Sequence, residues 1–278
     1  MNQQCTIAEK VSCTGLGLHS GVPVQLTLHP ARADAGVVLR RRNRGRDAES
    51  PVRPAAVIST SHATTLASGA ARVATVEHLL AALRGLGIDN VRIEVDGPEV
   101  PVMDGSSAGF VQLLRRAGIY PQREPRRSLQ ILRPVAVVEA ERRISVEPDP
   151  GFRISYAVDF AHPAIGRQEI AIASLEPGVF VKEIARARTF GFLEEVNELW
   201  RAGLARGGSL ENTVVLDELR VMNPEGLRWP DEFVRHKVLD LIGDLSLLGW
   251  PLQGHVRVER GGHSLHHRLV MALLETPA

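Results

Sequence analysis

Apolar positions along the chain switch between two periods. Val22, Val24, Leu26 and Leu28 recur at every second residue, as on a half-buried strand. Residues 37–39, 55–59 and 91–97 read as further strands. Residues 75–85 switch to helical spacing, with Val76, Leu79, Leu80, Leu83 and Leu86 on one stripe and Thr75 as the predicted N-cap. A second helix spans 107–117 and stops at Gly118. Residues 121–127 are polar, carry two prolines and fit neither period. Strands are predicted over 129–139, 143–147, 152–159 and 169–173, with the turn Pro148-Asp-Pro-Gly151 between two of them. Helices follow at 177–187 and 193–205, then a strand at 214–217. A long helix begins near Asp231, a strand covers 256–262, and a last helix opens at His263.

The long helix separates into two faces. Val234, Val238, Leu241, Leu245 and Leu248 form the packing side, while His236, Lys237, Asp240 and Asp244 fall together on the other. His236 and Asp240 are four apart, so their side chains stand one turn above the other, where one metal ion can bridge them. Such a pair also occurs by chance on surface helices, and it needs a third ligand from elsewhere.

An internal echo organises the rest. Val91-Arg-Ile-Glu-Val-Asp-Gly97 matches Val256-Arg-Val-Glu-Arg-Gly-Gly262, and each segment lies between two helices. The pattern predicts an α+β fold of two similar domains, each a sheet with its helices on one face and the active site between them. The expected division is 1–120, a linker at 121–128, and 129–278 with a small helical insert near 191–213.

Composition narrows the classes. Hydrophobic residues make up 44% of the 278 positions and aromatics 4%, so the core must be largely aliphatic. Lys and Arg number 33 against 32 Asp and Glu, which argues against a protein built to coat nucleic acid or a membrane. Arg40-Arg-Arg-Asn-Arg-Gly-Arg46 is the exception; it admits an RNA-binding reading but lacks interleaved aromatics, and a solvated loop fits it better. Cys5 and Cys13 form no disulfide framework or metal pair. With no signal peptide and no long apolar run, the chain is expected to be cytoplasmic, with no stable membrane insertion.

His78, in the first turn of the 75–85 helix, is the natural third ligand. His78, His236 and Asp240 would form a two-His, one-carboxylate zinc set with a fourth position open to water. Glu77 could serve that water as general base. Lys237 could hold an oxyanion or a phosphate. His263, at a helix start that favours neutral imidazole, needs a carboxylate to stay protonated as an acid, and Asp244 supplies one. His19 lies in the glycine-punctuated segment Gly15-Leu-Gly-Leu-His-Ser-Gly21, where a lone histidine reads as a turn residue.

Several segments together carry a family resemblance: Gly15 to Gly21, Thr75-Val-Glu-His78, Gly85-Leu-Gly-Ile-Asp-Asn90, Pro101-Val-Met-Asp-Gly-Ser106, Ala187-Arg-Thr-Phe-Gly-Phe192 and Phe233-Val-Arg-His-Lys-Val-Leu-Asp240. In this order, over nearly the whole chain, they resemble the UDP-3-O-acyl-N-acetylglucosamine deacetylases, zinc enzymes that remove acetate from a UDP-sugar early in lipid A synthesis. The resemblance implies Zn2+ on His78, His236 and Asp240, Glu77 as base, and His263 as acid oriented by Asp244. It also implies Thr189 at the oxyanion, Lys237 near the substrate phosphates and Phe190 lining the sugar site; His19 is counted with the substrate-binding residues. The partner expected is a small molecule, the acylated UDP-amino sugar, with no nucleic acid, and the chain is expected to be a monomer. The 193–205 helix falls where the family forms an acyl-chain passage, although Leu193, Val196, Leu199 and Trp200 suit core packing equally. Ser61-His-Ala-Thr-Thr65 departs from the Met- and Cys-bearing family version, which leaves the role of His62 open. A related zinc hydrolase acting on another amino sugar is the competing enzyme reading.

Overall fold

The computed structural model describes residues 3–42, 48–69 and 71–275. The first half contains β1 (Gln3–Ile7), β2 (Val11–Leu16), β3 (Pro23–Pro30), β4 (Val37–Arg41), β5 (Ala48–Pro51), β6 (Val57–Ser59), β7 (Thr65–Ser68), β8 (Ala71–Val73), α1 (Glu77–Gly85), β9 (Val91–Val95), α2 (Ala108–Ala117) and β10 (Ile119–Pro125). The second contains β11 (Leu129–Gln130), β12 (Val135–Glu139), β13 (Arg142–Glu147), β14 (Phe152–Phe160), β15 (Gly166–Ile172), α3 (Pro177–Val179), β16 (Phe190–Phe192), α4 (Leu193–Arg201), β17 (Val214–Leu216), α5 (Glu232–Leu245), β18 (Leu252–Glu259) and α6 (His263–Glu275).

The α+β class predicted from the sequence is the observed one, and the echo has a topological basis. One sheet runs β2-β3-β9-β4-β5 and the other β12-β13-β18-β14-β15, with β11 beside β18. In both, the late strand (β9 or β18) inserts in the middle, antiparallel to one neighbour and parallel to the other. The echoed segments fall on these two central strands, although β18 begins at Leu252 and ends at Glu259, ahead of the predicted 256–262. Apolar residues at alternate positions face inward: Val91, Ile93 and Val95 in β9, Val256 and Val258 in β18. Helix α2 packs near β2, α5 lies on β14 and β15, α6 lies on β12 and β13, and α1 packs directly on α5. A single aliphatic cluster runs through both halves.

Several elements differ from expectation. Residues 121–125, expected as part of an irregular linker over 121–127, instead form β10 together with Ile119 and Tyr120, and this strand pairs antiparallel with β1. This strand is exposed on nearly every residue, so it leaves no alternating apolar signal. The helix predicted over 177–187 is one α-turn at α3 followed by a π-helical turn over Phe180–Ile184. Thr75 is no N-cap: its backbone is left-handed, with φ 56°, and its hydroxyl donates to Glu99 Oε1 at 2.7 Å. Of the arginine run, residues 43–47 lie outside the described residues. Arg40 and Arg41, expected in a loop, instead close β4, and Arg40 and Arg42 stand within 3.7 and 3.8 Å of Glu94.

Candidate active site

Helix α5 is buried on both faces. The packing stripe is covered as predicted, and His236, Asp240 and Asp244 are no more than 2% exposed. Burying three ionisable groups on one helix is costly unless each is partnered. Their partners come from several elements: His78 from α1, the Ala187 carbonyl, Lys237 on α5 itself, Thr64, and His263 and His266 on α6. At the crossing of α1 and α5 stands Gly243, where a Cβ would collide with the backbone carbonyl of Glu77. This glycine lets the first turn of α1 reach the stretch of α5 between Asp240 and Asp244. Ser107 donates to the His78 carbonyl at 2.7 Å and fixes that turn from the other side.

His78, His236 and Asp240 converge. His78 Nε2 lies 3.6 Å and His236 Nε2 3.3 Å from Asp240 Oδ1, and ligand atoms of the three all fall within 4.8 Å of one another. The two rings meet edge to face, 5.0 Å apart. Asp240 Oδ1 and His78 Nδ1 are buried with no hydrogen-bond partner, whereas Asp240 Oδ2 accepts from Lys237 Nζ at 3.0 Å. An orphaned carboxylate oxygen facing two imidazole nitrogens suits a cation held among them. His236 Nδ1 lies 3.1 Å from the Ala187 carbonyl; donating to it leaves Nε2 unprotonated for a metal. Burial pushes His236 down to about 3 despite Asp240, so its imidazole is neutral. Burial also opposes the Asp240 charge, but the Lys237 ammonium, which donates to Oδ2, and the His78 imidazole outweigh it and hold the carboxyl well below its usual range. These residues fit a divalent metal.

Beside these three residues sits a second set of largely buried titratable groups. Glu77 Oε2 accepts from the Thr64 amide at 3.1 Å, and Oε1 lies 3.8 Å from His263 Nε2. Burial raises the Glu77 pKa. His263 Nδ1 lies 2.8 Å from Asp244 Oδ2, which is shared with His266 Nδ1 at the same distance. Burial disfavours the His263 charge, but Asp244 and Glu77 more than compensate and raise it to about 10. Asp244 is correspondingly lowered to about 2, against its own burial. At neutral pH the pair is therefore imidazolium and carboxylate.

The remaining predicted residues lie around this core. Phe190 packs 5.0 Å from Phe233 and 6.3 Å from His236, with Lys237 Nζ 5.6 Å from its ring centre. Thr189 is two residues from the Ala187 carbonyl that holds His236; its backbone is tied to Gly105 and Val214, and no contact places its hydroxyl on the ligands. His19 and His62 stand 6.2 Å apart in a cleft of about 400 Å³ that is also lined by Ala63, Glu99 and Leu204. Burial lowers His19, and positive charge on His62, His78 or His263 would lower it further. Sequence reasoning missed Thr64, His266 and Tyr156. His266 follows His263 by three positions on one helix face, a spacing that could have revealed it. Tyr156 and Thr64 carried no comparable signal.

Two imidazoles and a carboxylate that could hold a metal ion, a buried carboxylate beside them and a carboxylate-held imidazolium are the kinds of groups a metal-dependent hydrolase uses. Residues 4–275 match the model of the UDP-3-O-acyl N-acetylglycosamine deacetylase family, and the chain belongs to that family. It is similar to three proteins named UDP-3-O-acyl-N-acetylglucosamine deacetylase. It is 50% identical over 274 residues to one from Anaeromyxobacter sp. (strain Fw109-5), covering 99% of this chain and 89% of that protein. It is 49% identical over 275 residues to one from Myxococcus xanthus, covering 99% and 87%. It is 51% identical over 272 residues to one from Nitratidesulfovibrio vulgaris, covering 98% and 88%.

Proposed function

We propose that the chain removes the N-acetyl group of a UDP-3-O-acyl-N-acetylglucosamine, releasing acetate and a free amine, with Zn2+ held by His78, His236 and Asp240. The observation that carries the reading is the meeting of His78 from α1 with His236 and Asp240 from α5 around an orphaned carboxylate oxygen. A bound zinc ion supplies Lewis-acid polarisation of the amide carbonyl and lowers the pKa of water to about 7. Family membership and the relatives' names support the substrate class.

Residues of the chain handle the protons. Glu77, raised by burial, takes a proton from the attacking water as it adds to the amide carbon. Thr189 and Lys237 stabilise the oxyanion of the tetrahedral intermediate. His263, kept cationic by Asp244, gives a proton to the departing nitrogen as the C–N bond breaks. Phe190, Lys237 and His19 hold the sugar and its phosphates. The apolar residues of α4, among them the half-exposed Leu193 and Trp200, border the acyl chain. In this reading the site lies between two repeats, residues 1–120 and 129–278. No helix among the described residues is long and apolar enough to cross a membrane.

The test is acetate release from acylated UDP-N-acetylglucosamine by zinc-loaded protein. Turnover is expected with that substrate, and loss of turnover on chelation with return on adding zinc. Full activity in metal-free protein would overturn the reading.

A further inference from the structure

Behind Asp244 lies a pair of residues to which the proposed chemistry gives no part. His266 is 0% and Tyr156 1% exposed. Tyr156 Oη lies 3.0 Å from His266 Nε2, and His266 Nδ1 lies 2.8 Å from Asp244 Oδ2. Burial lowers the His266 pKa, so it sits neutral. Ionised Asp244 can only accept, so the neutral His266 donates from Nδ1, its Nε2 becomes an acceptor, and the Tyr156 hydroxyl donates to it. Asp244 also accepts from Thr64 Oγ1 at 2.6 Å through Oδ1. Three donors thus converge on one buried carboxylate: His263, His266 and Thr64. A satisfied core would need no such arrangement, because two apolar side chains of similar shape would fill the space at lower cost.

We propose that His266, locked in one tautomer by Tyr156, is a positioning residue for the general acid: it fixes Asp244 and takes a share of its charge, so that His263 is held protonated yet can release its proton. A buried carboxylate facing a single imidazolium binds the proton tightly; each further N–H or O–H donated to it weakens that grip. Donation from Tyr156 to Nε2 in turn strengthens the Nδ1–H bond to Asp244. The other ionisable groups facing His263 are Asp240 on α5, Glu77 on α1 and His19 in the 15–21 turn, with Arg142 on β13 near Tyr156. None of these donates to Asp244, so His266 is the imidazole placed to modulate it. The inference rests on the reading of His263 as general acid.

The experiment uses full-length zinc-loaded protein with 15N-labelled histidine, titrated by NMR, alongside the pH dependence of kcat. In the wild-type protein His266 is expected as a neutral Nδ1–H tautomer that does not titrate with His263. His266→Leu should move the His263 midpoint up by about one unit and lower kcat about three- to tenfold with KM little changed. His266→Asn, which keeps an N–H donor at that place, should restore most of both. Tyr156→Phe should give a smaller upward shift. If the His263 midpoint and kcat stay put in His266→Leu and Tyr156→Phe while only Tm falls, the pair is structural and the inference fails. His263→Gln separates the two layers: an alkaline limb that persists there overturns the general-acid reading itself, whereas a limb lost there but unmoved in His266→Leu overturns this inference alone.

Discussion

The two sheets share strand order and sense, yet the halves they anchor are equipped differently. In the first, the helix before the central strand is α1, and its chemistry sits in its first turn as the neighbours Glu77 and His78. In the second, the corresponding helix is α5, and its chemistry runs from its second turn to its last as His236, Asp240 and Asp244. The second half also adds His263 at the start of α6 and the β16-α4-β17 unit, in which two short parallel strands enclose a helix. The same frame thus presents a helix start on one side and a helix flank on the other. Neither half holds all of the proposed ligand set, and the contact at Gly243 brings the two parts together.

The largest effect expected from unbalancing the halves is on chemistry. Glu77→Gln in the first half and His263→Gln in the second should each lower kcat by about 10²- to 10⁴-fold, measured by acetate release. A loss confined to one of them would show that a single half handles both protons. Next comes the contact itself. Gly243→Ala forces a methyl group onto the Glu77 carbonyl and should cost about 1–3 kcal/mol of stability, read from denaturant midpoints. No change would mean that α1 and α5 have room to separate.

The smallest effect is on pH dependence. In the proposed mechanism activity requires ionised Glu77, whose pKa is raised by burial, so the acid limb should lie above the ordinary carboxylate range. It also requires protonated His263, so activity should fall as pH rises through that group. Asp244 and Glu77 raise it to about 10, and a bound dication would draw it lower. Asp244→Asn removes the main raising charge, so the alkaline limb should move to lower pH. A limb that moves upward or stays fixed contradicts the assignment.

Legibility in the sequence follows the range of the contacts. His236 and Asp240 were visible because a helix places residues four apart together. The α+β class and the repeat were visible because β9 and β18 keep the alternation of central strands. Assigning His78 to the same metal needed chemical reasoning about ligand number and the resemblance, since local periodicity does not say that α1 crosses α5. Thr64 and Tyr156 reach Asp244 and His266 across 180 and 110 residues, and nothing local marks them. Strand β10 was missed because its pairing with β1 is made by backbone groups while its side chains remain in water.

Metal stoichiometry in single-ligand variants tests the central claim most directly. Purified protein should carry one zinc per chain, and His78→Ala should lose it as fully as Asp240→Ala does, while both variants keep the wild-type circular dichroism. Zinc retained at wild-type occupancy and affinity in His78→Ala would mean that the first half takes no part in holding the ion, and the shared site described here would be contradicted.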